Sequence, residues 1–484
     1  MDLTEKPKVI SSRRSKSKLE TILKAIALIL TISVFLKGII DIDGTYDTWG
    51  YHLPFAARMW SIVPAEQFIN MEERFAGFPL LGEFFQGFFW LITQRVQGAN
   101  LVGFFSLVLY AYFLKKYFQV AYYLTAIALL GVPLIQAHAV NSYVDLIANV
   151  FLAMMIMMAY VLYRRELPSL RDWLVIFLAG VGASNSKPQL EPLVFVVLCF
   201  IAIRILWLRW RLSNRKQLST WLLKAVPIAF LASLLIFATP IKNIALYGNP
   251  FYPVRIEIGG RVLNHALPMY SDAPGYLADA PKAQRWLYSI LDINSSAYWN
   301  HDRYSEDPDR NRMGGFFGAY VVFQILLLAY LIIRNPNRNT KLAGIVVLVM
   351  SFVAANFPQS HELRYFMYWM MVLISLNLYL VTHYRDSLVK PTRIGLMCLI
   401  ALIIVGIKTN FVYLKPSFNT LSVFKDKHIN RDIIAQIEPG DRICLPNQYP
   451  YSFGYTPWFH PELDYTYTIR SGFRDSCAKS EKVL

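Results

Sequence analysis

Charge is scarce in this sequence. Lys, Arg, Asp and Glu make up 17% of its 484 residues, where a soluble protein carries about a quarter. Four cysteines are too few for a disulfide scaffold. Cys199 and Cys398 fall in apolar stretches, whereas Cys444 and Cys477 fall in a polar tail and would pair in an oxidising compartment. Internal repeats and low-complexity segments are lacking. No small-residue cleavage site follows the first apolar run, so that run reads as a retained span and not a signal peptide. What is abundant is apolar surface: hydrophobic residues reach 55% and aromatics 15%, with mean hydropathy +0.36. An ordinary soluble enzyme is thereby excluded. The net charge of +16 would suggest nucleic acid in a soluble chain. Here the basic residues form short clusters between apolar runs, which is a signature of membrane topology and gives no reason to expect a nucleic-acid partner.

A span needs about 20 largely apolar residues. Stretches of that kind lie near 19–40, 97–114, 119–138, 145–163, 172–186, 189–208, 221–242, 314–333, 341–357, 364–382 and 394–411, so roughly eleven spans are expected. The fold class is an all-α polytopic membrane protein. Residues 1–18 form a basic N-terminus, 19–411 the transmembrane domain, and 412–484 a small α/β domain with helix-like residues near 429–437 and strand-like pieces near 441–445 and 464–469.

Alternate connections are basic: Lys115-Lys116, Arg164 to Arg171, Arg209 to Lys216, Arg334 to Lys341, and His383 to Arg393. The positive-inside rule makes these cytoplasmic. The segments 41–96, 139–144, 187–188, 243–313 and 358–363 and the tail are then outside. Residues 79–93 are short for a span and contain Glu83 and Gln86. Counting them as one would invert the loops that follow, so they read as an amphipathic helix at the outer interface.

The out-of-place polar residues collect in the outer segments. The first reads Asp41-Ile-Asp43-Gly-Thr-Tyr-Asp47-Thr-Trp-Gly-Tyr51-His52, with Arg58 soon after. A carboxylate here can act as general base towards an incoming hydroxyl, or Asp47 can simply N-cap the next helix. The second contains Tyr143 and Asp145, and Ser142-x-x-Asp145 matches a capping box. Lys187 stands in a short turn, where it can bind phosphate or complement a helix end. Gly248-Asn249-Pro-Phe-Tyr252-Pro253 reads as a helix stop. The fifth holds His361, Glu362, Arg364 and Tyr365. Arg suits bidentate phosphate binding, against the common alternative of a snorkelling side chain. Singly, each is weak. Jointly, Asp47, Asp145, Lys187 and Arg364 emerge on one face although the topology was fixed largely without them, which suggests a single cleft.

Sugar transfer from a polyprenyl phosphate needs one base for the acceptor hydroxyl and cations for the leaving phosphate, but no general acid. A two-carboxylate hydrolase needs a paired acid and base. These residues also carry a resemblance. Asp47-x-x-x-Tyr51, Tyr143-Val-Asp145, Lys187, Gly248-Asn-Pro-Phe-Tyr-Pro253 and Arg364-Tyr365, in that order and on one face, resemble the polytopic GT-C glycosyltransferases. The resemblance is especially to the branch of the protein O-mannosyltransferases and lipid A aminoarabinose transferases (glycosyltransferase family 39-like). The resemblance runs from the first span to about Tyr365. It implies Asp47 as catalytic base, Asp145 as a site-forming residue, and Lys187, Arg364 and His361 at the donor phosphate. It also implies an interfacial first-loop helix, which suits 79–93, and single displacement with inversion. Asp43, Tyr51, His52, Arg58, Tyr143, Glu362, Tyr365, Asn249 and Tyr252 are expected to line the cleft. Many relatives have an acid directly after the first aspartate. Here it is Thr48, so a second-carboxylate or metal role would fall to Asp43 or Asp41. A divalent metal is compatible with the inventory and not required by it.

The expected partners are a polyprenyl-phosphate donor of a hexosyl or pentosyl unit, a lipid, polysaccharide or protein acceptor, and the bilayer. The expected location is a prokaryotic inner membrane with the site facing out. The alternative is a transporter or flippase of a lipid-linked glycan. Transporters place polar sites at the midplane, often within inverted repeats; here the charges fall at helix ends. A non-catalytic scaffold is a third reading. The acidic run Asp302, Glu306, Asp307, Asp309 reads by default as a solvated loop.

Overall fold

The computed structural model describes residues 18–64, 71–164, 167–269, 273, 277–293, 315–384, 389–446, 451–470 and 477–483. The acidic run at 302–309 lies outside them. The chain opens with α1 (Lys18–Ile40). The first loop then carries α2 (Leu53–Met59), α3 (Glu72–Gly77) and α4 (Leu81–Thr93). The bundle continues with α5 (Leu101–Phe118), α6 (Tyr122–Leu130), α7 (Pro133–His138), α8 (Asp145–Arg164), α9 (Leu170–Ser184), α10 (Glu191–Leu212), α11 (Arg215–Ile236) and α12 (Ala238–Tyr247). After a small hairpin of β1 (Glu257–Ile258) and β2 (Arg261–Val262) come α13 (Lys282–Leu291), α14 (Gly318–Arg334), α15 (Arg338–Asn356), α16 (Met367–His383) and α17 (Pro391–Lys408).

The protein is a multi-pass membrane protein. Among the described residues eight helices are long and apolar enough to cross a bilayer. All the stretches expected to span are helical, but three fall short of that measure. The 119–138 stretch breaks between α6 and α7, because Pro133 lacks the N–H that a continuing helix needs and instead opens a new one. α9 has 15 residues and α14 has 17, covering roughly 22 and 26 Å of a hydrocarbon core of about 30 Å. α8 and α16 sit at the centre, buried along almost their whole length, whereas α11 turns Leu223, Ile228, Phe230 and Leu231 outward.

The 79–93 segment is a 13-residue helix, α4, too short to cross. Its faces are reversed relative to a soluble helix. Glu83 and Gln86 are buried against the protein, while Phe84, Phe88, Leu91 and Ile92 are exposed. That arrangement fits lipid on the outer side and polar partners within.

The tail holds α18 (Leu421–His428), α19 (Arg431–Ile434) and a parallel sheet in the order β4 (Tyr465–Arg470), β3 (Asp441–Pro446), β5 (Lys482–Val483). The helical residues begin before the expected 429–437 and break at Ile429. Cys444 and Cys477 form a disulfide. The tail shares a core with the first loop. Trp49 stacks on Phe424 at 4.1 Å and lies 5.4 Å from Phe459. The Asp41 carboxylate accepts from the Ser417 and Asn419 amides at 2.8 and 3.0 Å, and the Tyr451 hydroxyl donates to the Gly44 carbonyl at 2.9 Å.

Candidate active site

The C-terminal end of α1 and the N-terminal ends of α8, α10 and α16 meet at one end of the bundle. Asp47 follows α1 and leads directly into a one-turn π-helix, Thr48–His52, a conformation found often at functional sites. Its carboxylate caps nothing. It pairs instead with the Arg364 guanidinium, Oδ2 to Nη1 3.2 Å. Asp145 opens α8 and pairs with Lys187, which stands just before α10. The two ion pairs are joined through Tyr365: Lys187 Nζ is 4.6 Å from its ring centre and the Arg364 guanidinium 5.2 Å. Tyr143 closes the other side, with its ring 5.8 Å from Arg364.

The pairs differ in access. Asp47 and Arg364 side chains keep 23% and 27% of their surface, Lys187 keeps 10%, and Asp145 none. Burial pushes the Lys187 ammonium below its ordinary value, against the pull of Asp145. Burial also raises the Tyr51 phenol well above its ordinary value, and the Asp47 charge adds to this, so Tyr51 stays neutral. Two cations beside a part-buried carboxylate can hold a phosphate and leave a base next to it.

Several bland alternatives fail on this geometry. Ser142 and Asp145 make no capping box: the Ser142 hydroxyl donates to Asn100 Oδ1 at 2.6 Å, and Asp145 is spent on Lys187. Arg364 does not snorkel away from its neighbours.

Most of the other residues expected in the cleft are engaged with partners outside the two ion pairs. Asp43 clasps the first two loops together, accepting from Thr45, Thr48 and the Ser142 amide. Asp41 is held by Lys37 and the tail. Both carboxylates are thus engaged by partners other than Asp47. Arg58 pairs with Glu72 and covers the Phe75 ring at 4.1 Å. Asn249 staples its own loop, donating to the Val254 and Asn264 carbonyls at 2.9 and 2.7 Å. It follows Gly248, whose φ of 69° ends α12 as a glycine stop should. Tyr252 stacks on Tyr247 at 3.9 Å. His361 is buried 3.6 Å from Glu362 and lines a pocket of about 240 Å³ with Lys282 and Arg285. Glu362 reaches the charged cluster, 3.7 Å from Arg364 Nε.

Three residues that hold the site escaped sequence reasoning. Asn149, one turn into α8, donates to the Arg364 carbonyl at 2.9 Å and accepts from the Tyr368 amide at 2.9 Å. A buried Asn four residues after Asp145 in an apolar span was the available signal. Glu83 binds His52 Nδ1 at 2.8 Å, both side chains buried. His52 Nε2 has no partner among the described residues, and the ring lies 5.5 Å from Tyr143. Arg74 covers the Tyr51 ring at 5.2 Å. Among the described residues the one set of His, Cys, Asp and Glu that converges tightly enough for a metal is Cys444, Cys477 and Glu481, and its two sulfurs are already bonded to each other.

No protein-family model matches the sequence, and no curated protein matches it. Solved structures of two proteins are similar. One is the crystal structure of ArnT from Cupriavidus metallidurans bound to undecaprenyl phosphate, at TM-score 0.47 and 12% identity over 93% of this chain and 85% of that chain; its apo form aligns equally. The other is the archaeal oligosaccharyltransferase AglB from Archaeoglobus fulgidus, in complex with an inhibitory peptide and a dolichol-phosphate. It aligns at TM-score 0.44 and 11% identity over 93% of this chain and 65% of that one. Both neighbours are GT-C proteins, the group the sequence resembles. At these scores the likeness does not set what this chain does.

Proposed function

We propose that the protein is a glycosyltransferase that moves a sugar from a polyprenyl-phosphate donor to an acceptor hydroxyl at the non-cytoplasmic membrane face. The observation that carries this reading is the convergence of a part-buried carboxylate and two cations from three separate segments: Asp47 on Arg364, with Lys187 across the Tyr365 ring. Each part has a role. Arg364 and Lys187 hold the donor phosphate. Asp145, fully buried, fixes Lys187 and offsets the cost of keeping an ammonium at the membrane edge. Asp47 takes the proton.

The resting pair supports an order of events. A donor phosphate competes with Asp47 for Arg364, so donor binding frees the base where it is needed. The acceptor oxygen then attacks the anomeric carbon from the side opposite the phosphate. Its proton passes to Asp47, the new glycosidic bond forms, and the bond from carbon to phosphate oxygen breaks. Polyprenyl phosphate leaves with its charge held by the two cations, and the anomeric configuration inverts. No acid is needed at the leaving oxygen, because the phosphate leaves as an anion whose charge the cations hold. Tyr51, Tyr143 and Tyr365 supply the aromatic wall, and the His52–Glu83 pair stiffens the loop that carries Asp47.

The test is to reconstitute the purified protein, supply polyprenyl-phosphate sugars of hexose and pentose type, and follow loss of the lipid-linked sugar. Cleavage with one of them, and an inverted product, is expected. Transbilayer movement of the lipid without bond cleavage would overturn the reading in favour of a transporter.

A further inference from the structure

A second cleft opens at the other end of the same helices. α1, α5 and α6 wall it, and the end of α16 with the start of α17 closes it; its volume is about 1740 Å³. On α16 it is lined by Val381 and Thr382. These lie roughly 26 Å along the helix axis from Arg364, at 1.5 Å per residue, so the cleft is separate from the charged cluster.

Along α1 the lining runs from Glu20 to Val34, roughly 21 Å. One leaflet of a hydrocarbon core of about 30 Å is roughly 15 Å deep. The inner lining is apolar, with Leu28, Val34, Leu107, Val108 and Leu130. The rim differs: Lys24, Lys115 and Lys390 stand there among Tyr112, Tyr122 and Tyr384. Lys24 is already paired with Glu20 at 2.5 Å. Lys115 and Lys390 make no ion pair among the described residues. Tyr at such a rim marks the depth of lipid headgroups.

Length, lining and charge converge on one kind of occupant. Both flanking helices, α1 and α5, belong to spans, so what enters from the side is lipid. Packed apolar walls gain dispersion contacts when acyl chains fill the space between them. Basic pockets between membrane helices select anionic headgroups. We propose that this cleft binds a two-chain anionic phospholipid, with its acyl chains between α1 and α5 and its phosphate against Lys115 and Lys390. The proposal does not depend on the reading of the charged cluster. It fixes the tilt of α1, the helix that delivers Asp47, by filling the gap at its far end.

The test uses the full-length protein in detergent. After delipidation, phosphatidylglycerol or phosphatidylcholine is added back, and bound lipid and melting temperature are measured. Phosphatidylglycerol is expected to remain bound and to raise the melting temperature by several degrees more than phosphatidylcholine. The double variant Lys115→Gln/Lys390→Gln should lose that preference while its lipid-free melting temperature is unchanged. Ala111→Trp, which fills the cleft from α5, should cut retention of both lipids. Equal stabilisation by the two lipids in the unaltered protein would overturn the proposal. So would an undiminished preference in the double variant, undiminished retention in Ala111→Trp, or displacement of phosphatidylglycerol by an equimolar polyprenyl phosphate.

Discussion

The two ends of the bundle solve the same problem differently. A helix terminus leaves backbone donors or acceptors that need partners. At the far end, α9, α11 and α15 start with capping boxes on Ser169, Asn214 and Asn337, whereas α6 and α17 start without a side-chain cap. The polar groups there also interlock. Arg164 Nε donates to Asn339 Oδ1 at 2.9 Å, Asn339 Nδ2 to the Tyr384 hydroxyl at 2.6 Å, and the Tyr160 hydroxyl to the Asn339 carbonyl at 3.2 Å. At the end that carries Asp47, neither α10 nor α16 has a side-chain cap. Buried polar atoms there lack partners among the described residues: Asp145 Oδ2, Ser186 Oγ, Asn141 Nδ2 and His52 Nε2. A buried polar atom left unpaired costs about 1–3 kcal/mol. One end carries the interlocked caps; the other carries the paired charges and open polar atoms that the proposed donor site would use.

The contrast predicts which substitutions will hurt. Lys187→Met leaves the Asp145 carboxylate buried without its partner. It should destabilise the protein by about 3–5 kcal/mol and abolish donor binding. The double variant Asp145→Leu/Lys187→Met should regain most of the stability in a denaturation assay but none of the binding. If the double variant is no more stable than the single one, the pair is not what makes Lys187 costly to lose.

Phe424→Ala comes next. Removing a buried aromatic costs about 3 kcal/mol or more, and here the ring lies under Trp49, beside the loop that holds Asp47. Turnover should fall even though Phe424 is in the tail. Unchanged turnover with an undocked tail, read from protease sensitivity, would separate the tail from the site.

A smaller effect concerns pH. Burial holds the Lys187 ammonium below its ordinary value. The charged form binds phosphate, so donor affinity should fall as pH rises through that lowered value, before an ordinary lysine at about 10.4 would deprotonate. Lys187→Arg should push this alkaline limb up and out of range. A limb that stays in place assigns it to another group.

The smallest effect belongs to the far end. Ser169→Ala removes a capping box and should cost about 1 kcal/mol with turnover intact. A loss of turnover there would break the contrast between the ends.

Much of this was legible in the sequence, for physical reasons. Long apolar runs are forced on any membrane helix, so the helical stretches were readable. Charge asymmetry of the loops then brought Asp47, Asp145, Lys187 and Arg364 to one face. The pairing was not legible. Nothing in the order of residues says that Asp47 meets Arg364 and Asp145 meets Lys187 instead of the reverse. Asp43 and Asp47 look alike in sequence; only the fold surrounds one with hydroxyls and an amide and gives the other to Arg364. Asn249 and Tyr252 looked like cleft residues, but their hydrogen bonds and stacking close their own loop. The docking of Phe424 on Trp49 joins segments about three quarters of the chain apart, and no local pattern encodes such a contact.

The central claim is that Asp47 is a base held in reserve by Arg364. It is tested most directly by Asp47→Asn, with single-turnover rate and donor dissociation constant measured on the same reconstituted sample. The rate should fall by about 10²–10⁴-fold, the contribution typical of a general base. The donor should bind as tightly as before or more so, because the group competing for Arg364 has lost its charge. A variant that turns over at the normal rate, or that binds donor much more weakly, would contradict the account.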